Sequence, residues 1–314
     1  MRQFSVFTIA CVLSTSILTA QTAKRLNKAI DLLEDGQPIY YAGAGAGDYE
    51  AGKKTAQTTA DYINYNLEHG AFDIPKLREF MRGLVDGGPT KSGHRTPAVI
   101  VTPPMYGLSG EQMRANNWLI HQLLAAGVHG ILLTHPNDLE AVRVFVQSSR
   151  YPHAPIGPGL PRDTGLERGS GSQSYASEIW GLSGEEYQKR ADVWPLNPEG
   201  ELMLGLKIEN HHAVAISEQI AAVPGIAFAE WGPGDNSLFL FGPGGNPLGS
   251  NHPRLQKIRS RVLAATNAAG IAFLNSCNEN NVIDMIKEGV MICTGGEGPG
   301  AAKGREFTKR PQPW

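Results

Sequence analysis

Short apolar runs recur along the chain, and stretches of helical periodicity separate most of them. The strand-like runs span residues 38–42, 61–66, 97–101, 130–134, 203–209, 226–231, 271–275 and 290–293. Helical spacing covers residues 25–35, 75–84, 110–126, 137–149, 213–222, 254–269 and 280–288. Strands that alternate with helices predict a parallel sheet, and about eight such units predict closure into a (β/α)8 TIM barrel of the α/β class.

One stretch, residues 151–200, interrupts this alternation, because it is rich in Gly, Pro and Ser and has little periodicity. A loop of this length inside a compact domain is unusual unless it has a function. We therefore expect residues 21–314 to form a single barrel domain with a long loop insertion at about 151–200, which covers a face of the barrel or contacts another subunit. The basic and polar tail, residues 303–314, is expected to fray or to reach a neighbouring molecule.

Residues 1–20 have a pattern that has no place in a barrel. One positive charge is followed by a short apolar stretch and by a small residue, Ala20, which resembles a secretory signal peptide. The apolar stretch is too short for a stable membrane span. The segment predicts a secreted or periplasmic protein, and a cytoplasmic one if it is instead a disordered extension.

Composition limits the classes of molecule that the mature chain is expected to bind. A hydrophobic content of 41% is ample for one large core, and a net charge of −2 offers no electrostatic surface for nucleic acid or an anionic membrane. Cys11 would leave with the leader. Cys277 and Cys293 each end a late strand-like run, so a disulfide and two buried free thiols both remain open.

Two carboxylates, Glu209 and Asp235, carry the strongest chemical signal. Each follows an apolar run, which places both at the C-terminal ends of strands, where parallel barrels carry their chemistry. Two acidic side chains with water and substrate oxygens make the octahedral oxygen set that Mg²⁺ or Mn²⁺ prefers. Glu68 and His69 follow another strand-like run and bring a histidine to the same rim.

Several motifs occur together with these residues and in a fixed order. They are residues 61–70, 126–131, 149–152, 204–209, 220–226 and 232–237, the last of which is similar to a G-P-x-D-L-S motif. On these motifs the chain, over residues 24–303, resembles the HpcH/HpaI aldolase family. That family contains class II, metal-dependent pyruvate aldolases and the related citrate-lyase β-type enzymes.

The resemblance implies a barrel that binds Mg²⁺, Mn²⁺ or a similar ion such as Co²⁺ through Glu209 and Asp235. The ion would hold the carboxylate and keto oxygen of a 2-oxo acid, with Gly232, Pro233 and Gly234 in substrate binding. His69, preceded by Glu68, would transfer protons during cleavage of a 4-hydroxy-2-oxo acid into pyruvate and an aldehyde, or during the reverse addition. A homo-oligomer, either a hexamer or a trimer, is also implied.

Three positions depart from the family pattern. An arginine that stabilises the enolate oxygen falls on Ile100, an acid that pairs with the catalytic histidine falls near Asn66, and a glutamine falls on Lys207. Losing one preorganised donor to an oxyanion costs about 10²–10³ in rate. We therefore expect an aldolase with a different preferred substrate. The alternative is a non-catalytic protein that binds a 2-oxo acid or a metal on an aldolase scaffold.

Two further side chains are candidates for catalysis. Lys207 alternates with Glu209 and should face the barrel interior. It is a salt-bridge partner, which nearby acids favour by raising its pKa, or a Schiff-base nucleophile. His135 follows the fourth strand-like run, at the rim. It provides a substitute cation or an acid/base group, unless it is only a loop residue before Pro136.

Overall fold

The barrel at the centre of the protein is formed entirely by parallel strands. A computed structural model describes residues 25–154, 164–244, 246 and 248–310. Its strands are β1 (Ile39–Ala44), β2 (Tyr62–Asn66), β3 (Ala98–Thr102), β4 (Gly130–Thr134), β5 (Val193–Trp194), β6 (Leu202–Lys207), β7 (Phe228–Glu230), β8 (Ala272–Asn275) and β9 (Val290–Thr294). Pairing of β1 with β9 and of β4 with β6 closes eight of them into a barrel, and the two-residue β5 pairs with the start of β6. The predicted (β/α)8 fold is confirmed.

Helices surround this barrel. They are α1 (Lys28–Glu34), α2 (Tyr49–Thr55), α3 (Ile74–Gly87), α4 (Gly110–Ala115), α5 (Asn117–Ala125), α6 (Leu139–Ser148), α7 (Ser174–Trp180), α8 (Gly184–Arg190), α9 (His211–Ala215), α10 (Ser217–Ala221), α11 (Pro233–Phe241), α12 (Pro253–Ala269), α13 (Val282–Glu288) and α14 (Pro299–Phe307), with a 3₁₀ turn at Gly249–Asn251. Side-chain oxygens of Asp73, Ser109 and Asp138 accept hydrogen bonds from the first-turn N–H groups of α3, α4 and α6. These caps satisfy backbone donors that a helix leaves unpaired, and they set where each helix begins.

The core has an inner and an outer part. Inside the barrel an apolar layer contains Ile100, Leu132 and Phe228, and α1 closes it from below with the buried Ala29 and Ile30. A larger cluster fills the space between the strands and the surrounding helices. Because the barrel interior is packed with side chains up to this layer, a ligand can reach the molecule's centre only from the opposite, C-terminal end.

A buried charge cluster lies at the N-terminal end of the barrel. Asp61 comes directly before β2, and its carboxylate contacts Lys28 Nζ at 3.1 Å and both terminal nitrogens of Arg310. Arg305 lies 3.8 Å away, and the Tyr40 backbone N–H donates to the same carboxylate at 2.8 Å. The tail prediction is therefore wrong for residues 303–310, since α14 and these ion pairs hold them on the barrel. Residues 311–314 lie outside the described part.

The stretch from residue 151 to 200 contains more structure than its composition indicates. It provides α7, α8 and β5, and residues 155–163 of it lie outside the described part. Trp180 donates its indole N–H to Gly127 O at 2.8 Å, and the buried Arg168 donates to the hydroxyls of Tyr151 and Tyr187 at 2.8 and 3.0 Å. Aromatic side chains and one buried arginine thus dock this stretch against the barrel.

The structure bears on two sequence predictions, one on the pairing of the cysteines and one on membrane spans. Cys277 and Cys293 form a disulfide, with Cα atoms 5.3 Å apart, which settles the alternative that the sequence left open. None of the helices in the described ranges combines the length and the apolar character needed to cross a membrane. The predicted leader, residues 1–20, lies outside the described residues.

Candidate metal centre

Four ionisable side chains converge at the C-terminal end of the barrel. They are Glu68, His135, Glu209 and Asp235, and one potential ligand atom from each lies within 4.8 Å of the others. Glu68, His135 and Glu209 follow β2, β4 and β6 within two residues, and Asp235 lies in the first turn of α11, which follows β7. The two carboxylates singled out in the sequence are thus brought together with a third carboxylate and a histidine.

Glu209 is the most deeply buried member of this cluster, and its two oxygens have different surroundings. Oε2 lies 3.2 Å from Lys207 Nζ. Oε1 is buried without a hydrogen-bond partner among the described residues, and it lies 3.7 Å from His135 Nε2. Burial raises the pKa of Glu209 to about 8, with the charges of Glu68 and Asp235 acting in the same direction against Lys207. An orphaned, buried carboxylate oxygen next to a second carboxylate is an atom that a bound cation would satisfy.

Tight backbone packing fixes the positions of the Glu209 and Asp235 segments relative to each other. Gly232 has a φ of +49°, and a Cβ on it would lie 2.3 Å from Glu209 Cβ, so only glycine fits there. The Asn236 amide nitrogen is within hydrogen-bond distance of the carbonyls of Ile208, Trp231 and Gly232. Asn236 therefore joins the segment before Glu209 to the segment before Asp235. The sequence offered one signal for it, since asparagine stands where the similar motif has leucine.

The Lys207 side chain forms the ion pairs expected of a salt-bridge partner. Its Nζ lies 2.7 Å from Glu68 Oε2 and 3.2 Å from Glu209 Oε2. Burial alone would lower the pKa of Lys207, but the charges of Glu209, Glu68 and Glu230 raise it above its ordinary value. An amine whose pKa is raised by neighbouring carboxylates favours its protonated form, which is a cation and a donor and a poor Schiff-base nucleophile.

His135 takes an uncommon backbone conformation inside the cluster. Its φ is +44°, and its ring meets Tyr106 and Phe239 edge-on, with centroids 4.8 and 6.3 Å away. Nε2 lies 3.7 Å from both Glu209 Oε1 and Asp235 Oδ2. Burial lowers the pKa of His135, and the neighbouring carboxylates of Asp235 and Glu68 offset this only in part. A residue with positive φ that is not glycine is strained, and such strain concentrates at functional sites.

His69 lies beside the cluster and outside it. Its side chain is 70% exposed, and its Nε2 is 3.5 Å from Glu68 Oε2. The neighbouring Asn66 side chain accepts a hydrogen bond from the Glu68 backbone N–H at 2.9 Å. His69 is thus placed for contact with solvent or with a molecule that enters from the rim.

Two interior positions complete the surroundings. Ile100 is buried in the inner apolar layer, so β3 presents a hydrocarbon side chain to the barrel interior. Glu230, which sequence reasoning missed, ends β7 and is the cross-strand neighbour of Lys207. Burial raises the pKa of Glu230, and the charges of Glu68 and Asp235 add to this effect against Lys207. The site therefore contains an excess of carboxylates over cations.

Comparisons with known proteins identify relatives for this arrangement. A hydroxypyruvate/pyruvate aldolase from Chromohalobacter salexigens is 31% identical over 241 residues, which cover 76% of this chain and 78% of the relative. One from Delftia acidovorans is 26% identical over 239 residues, 76% of each chain. A solved HpcH/HpaI aldolase/citrate lyase family protein from Burkholderia cenocepacia superposes with a TM-score of 0.65 at 20% identity, covering 85% of this chain and 90% of that one. Macrophomate synthase gives 0.60 at 20% identity, with 88% and 85% covered. No protein-family model matches the chain.

Proposed function

Because this chain belongs to the HpcH/HpaI aldolase family, we propose that it is a metal-dependent carbon–carbon lyase. Its substrate would be a 4-hydroxy-2-oxo acid or a related 2-oxo acid, which it cleaves or forms. The observation that carries this proposal is the cluster of Glu68, His135, Glu209 and Asp235 around a buried carboxylate oxygen that has no partner in the described part of the chain. Lyase chemistry of this kind needs a fixed positive charge next to the keto oxygen, and a cation at this cluster would provide it.

Glu209 and Asp235 are the proposed ligands of the ion. Oε1 of Glu209 has no other partner among the described residues, and both side chains offer the hard oxygen donors that Mg²⁺, Mn²⁺ or Co²⁺ accepts. When bound, the ion would act as a Lewis acid on a carbonyl oxygen. Lys207 pairs with Oε2 of Glu209 and Oε2 of Glu68, while Oε1 of Glu209 lies 3.7 Å from His135 Nε2 within the four-residue cluster.

Other residues of the site have proposed roles in substrate binding and proton transfer. Gly232 is the N-cap of α11, and Pro233 and Gly234 are its first two residues; the free N–H groups at this N-terminus suit the carboxylate of a 2-oxo acid. His69, exposed and 3.5 Å from Glu68, is the proposed acid/base group that takes the proton of the 4-hydroxyl through water. Lys207 keeps a positive charge beside the site.

A rival function rests on the positions that depart from the family pattern. Ile100 supplies no donor from β3, and Asn66 supplies no charge next to His69. Both features favour a protein that binds a metal or a 2-oxo acid without turning it over. If it is an enzyme, the same features predict weak activity with simple pyruvate aldols and another preferred substrate.

One experiment separates the two functions. The purified chain is stripped of metal with a chelator, reloaded with Mg²⁺, Mn²⁺ or Co²⁺, and assayed for pyruvate release from a panel of 4-hydroxy-2-oxo acids. Oxalate and pyruvate binding to the same samples is measured by calorimetry. Metal-dependent release supports the enzyme, oxalate binding without release supports the binding protein, and neither activity in any metal form refutes both. Glu209→Gln should lose metal-dependent release or binding, and Glu185→Gln, which alters an exposed ion-pair partner of Lys189, is its matched control.

Export and assembly are proposals of their own. Residues 1–20 resemble a signal peptide, and the Cys277–Cys293 disulfide is the kind of bond that persists in oxidising compartments. N-terminal sequencing of the native protein should find a start near Gln21.

We also propose that residues 21–314 form one domain that assembles into a trimer or hexamer, which light scattering would measure. The exposed Leu238 and Phe239 on α11 are suited to such an interface.

A further inference from the structure

The orientation of one amide, that of Asn210, is fixed by the helix that follows it. Asn210 is the N-cap of α9, and its Oδ1 accepts hydrogen bonds from the backbone N–H groups of His212 and Ala213 at 3.0 and 3.1 Å. An amide nitrogen cannot accept these bonds, so the cap determines which end of the amide faces the helix. Nδ2 of Asn210 is therefore the atom that faces away.

That nitrogen meets the imidazole of His135. Nδ2 of Asn210 lies 2.9 Å from Nδ1 of His135. Since the amide nitrogen can only donate, Nδ1 of His135 is the acceptor, and a neutral imidazole with an acceptor at Nδ1 carries its proton on Nε2. The tautomer is thus assigned from the hydrogen-bond network, through an amide whose own orientation is set independently.

The consequence concerns the four-residue cluster. Nε2 of His135 lies 3.7 Å from Glu209 Oε1 and 3.7 Å from Asp235 Oδ2. A protonated ring nitrogen has no lone pair to give to a metal, so in this tautomer His135 is not a ligand although it lies among the ligands. Both distances exceed a hydrogen bond, so neither carboxylate takes up the Nε2–H group.

The ring is also held in place from its other sides. Thr134 accepts from Gly107 N at 3.1 Å and donates its hydroxyl to Met105 O at 3.0 Å, which fixes the loop after β3 against the end of β4. Tyr106 on that loop meets the ring edge-on, and Phe239 meets it from α11. With φ at +44° before Pro136, the backbone keeps a strained conformation that turns the ring into the site.

We propose that His135 is a neutral hydrogen-bond donor to a substrate oxygen bound at the metal site, and that Asn210 is the positioning residue that fixes its tautomer. This inference rests on the proposed function, because the oxygen is that of a bound 2-oxo acid or of an analogue such as oxalate. His135 then supplies from β4 the donor that Ile100 cannot supply from β3. A donor aimed at a site of developing charge typically contributes about 10²–10³ in rate.

Asn210→Asp tests the proposal because it replaces the amide NH2 group by an oxygen, which reverses the hydrogen bond and adds one negative charge. One aspartate oxygen keeps the cap of α9, and the other accepts a hydrogen bond from Nδ1–H of His135, which in the neutral ring leaves Nε2 with a lone pair. Asn210→Ser keeps a cap residue and removes the bond to His135, and so controls for the cap alone. His135→Gln assigns the ring signals in ¹⁵N spectra of Mg²⁺-loaded protein at pH 8.

In the wild type we expect a protonated Nε2 and an unprotonated Nδ1, and in Asn210→Asp the reverse. Oxalate affinity of the Mg²⁺-loaded protein should fall at least 10-fold in Asn210→Asp, while Mg²⁺ affinity without oxalate is unchanged or higher. A protonated Nδ1 in the wild type, or an Asn210→Asp variant that binds oxalate as tightly as the wild type, overturns the inference. If the wild type takes up neither metal nor oxalate, the proposed function fails and the donor role fails with it. Spectra of the metal-free protein then still decide the tautomer.

Discussion

The two ends of the barrel treat buried charge in opposite ways. At the N-terminal end one carboxylate, Asp61, is surrounded by Lys28, Arg305 and Arg310. At the C-terminal end three carboxylates, those of Glu68, Glu209 and Asp235, converge, and among the described lysines and arginines Lys207 is paired with two of them, Glu68 and Glu209. The first arrangement is satisfied by the protein itself, and the second is left with a deficit of positive charge.

The pKa shifts follow this difference. Burial alone would raise the pKa of Asp61, but Arg310, Lys28 and Arg305 hold it below its ordinary value. At the other end burial and like charges raise the pKa of Glu209 to about 8. A buried group whose charge is fully compensated stabilises the fold, whereas one that is left uncompensated indicates a site for an external ligand. A substitution at the Asp61 end is therefore expected to change stability, and one at the Glu209 end to change metal binding.

The largest effect on stability is expected from Asp61→Asn. Removing one partner of a buried ion pair leaves uncompensated charges behind, so the free energy of unfolding should fall by about 3–5 kcal/mol. Urea denaturation followed by circular dichroism measures this. Metal affinity should not change in the fraction that remains folded. The control is Asp35→Asn, which alters an exposed aspartate, and equal stability of the two variants would show that the Asp61 cluster is not a structural anchor.

Glu209→Gln should have the reverse effects of Asp61→Asn: metal binding should be lost while stability is kept. The amide cannot hold a divalent cation as a carboxylate does, so metal uptake should be lost and activity should fall about 10³-fold or more. Stability of the metal-free protein should be unchanged or higher, because the amide replaces a buried carboxyl group whose Oε1 has no partner among the described residues. Elemental analysis, kinetics and urea denaturation give the three readouts. Full metal stoichiometry in Glu209→Gln would place the ion elsewhere.

Much of the fold could be predicted from apolar periodicity, because most barrel strands are short apolar runs. The fourth run, residues 130–134, coincides with β4, and the other barrel strands lie within a few residues of their predicted bounds. Helix α11 was missed, since it begins Pro-Gly-Asp-Asn-Ser, residues with weak helix propensity. Helices α7 and α8 were missed because they are single short units held by tertiary packing, for example by Trp180 against Gly127.

The site could be predicted only where a single residue type carries the signal. Glu209 and Asp235 were found from acids at strand ends, and Lys207 from alternation along β6. Asn210 and Asn236 could not be assigned roles, because the partners of their side chains are distant in sequence. Asn210 is bonded to His135, and Asn236 to the carbonyl of Ile208. An asparagine before a helix predicts a cap. It does not predict which side chain the other end of the amide will meet.

A moderate effect is expected from Asn236→Leu, which restores the leucine of the similar motif. The carbonyls of Ile208, Trp231 and Gly232 would lose a buried donor, which costs about 1–3 kcal/mol of stability. Metal affinity should also fall, since the two carboxylate-bearing segments are no longer joined. Asn280→Leu, at an exposed position, is the control. A variant as stable as the wild type would show that leucine packs equally well here and that the amide is dispensable.

A pH dependence sharpens the comparison because the stabilities contributed by the two ends respond to pH with opposite sign. The folded-state pKa of Asp61 is lowered, so its stabilising contribution is present above its unfolded value of 3.8 and is lost as pH falls further. The folded-state pKa of Glu209 is raised from 4.5 to about 8, so the metal-free protein binds an extra proton between these values and loses stability as pH rises through that window. A cation requires the ionised carboxylate, so its binding at pH 7 should release close to one proton, and affinity should rise by up to about 10-fold per pH unit until pH 8. Calorimetry in buffers of different ionisation enthalpy counts these protons. An affinity that does not change between pH 6 and 9 would mean that Glu209 is already ionised in the metal-free protein, and the contrast between the two ends would then lie in geometry alone.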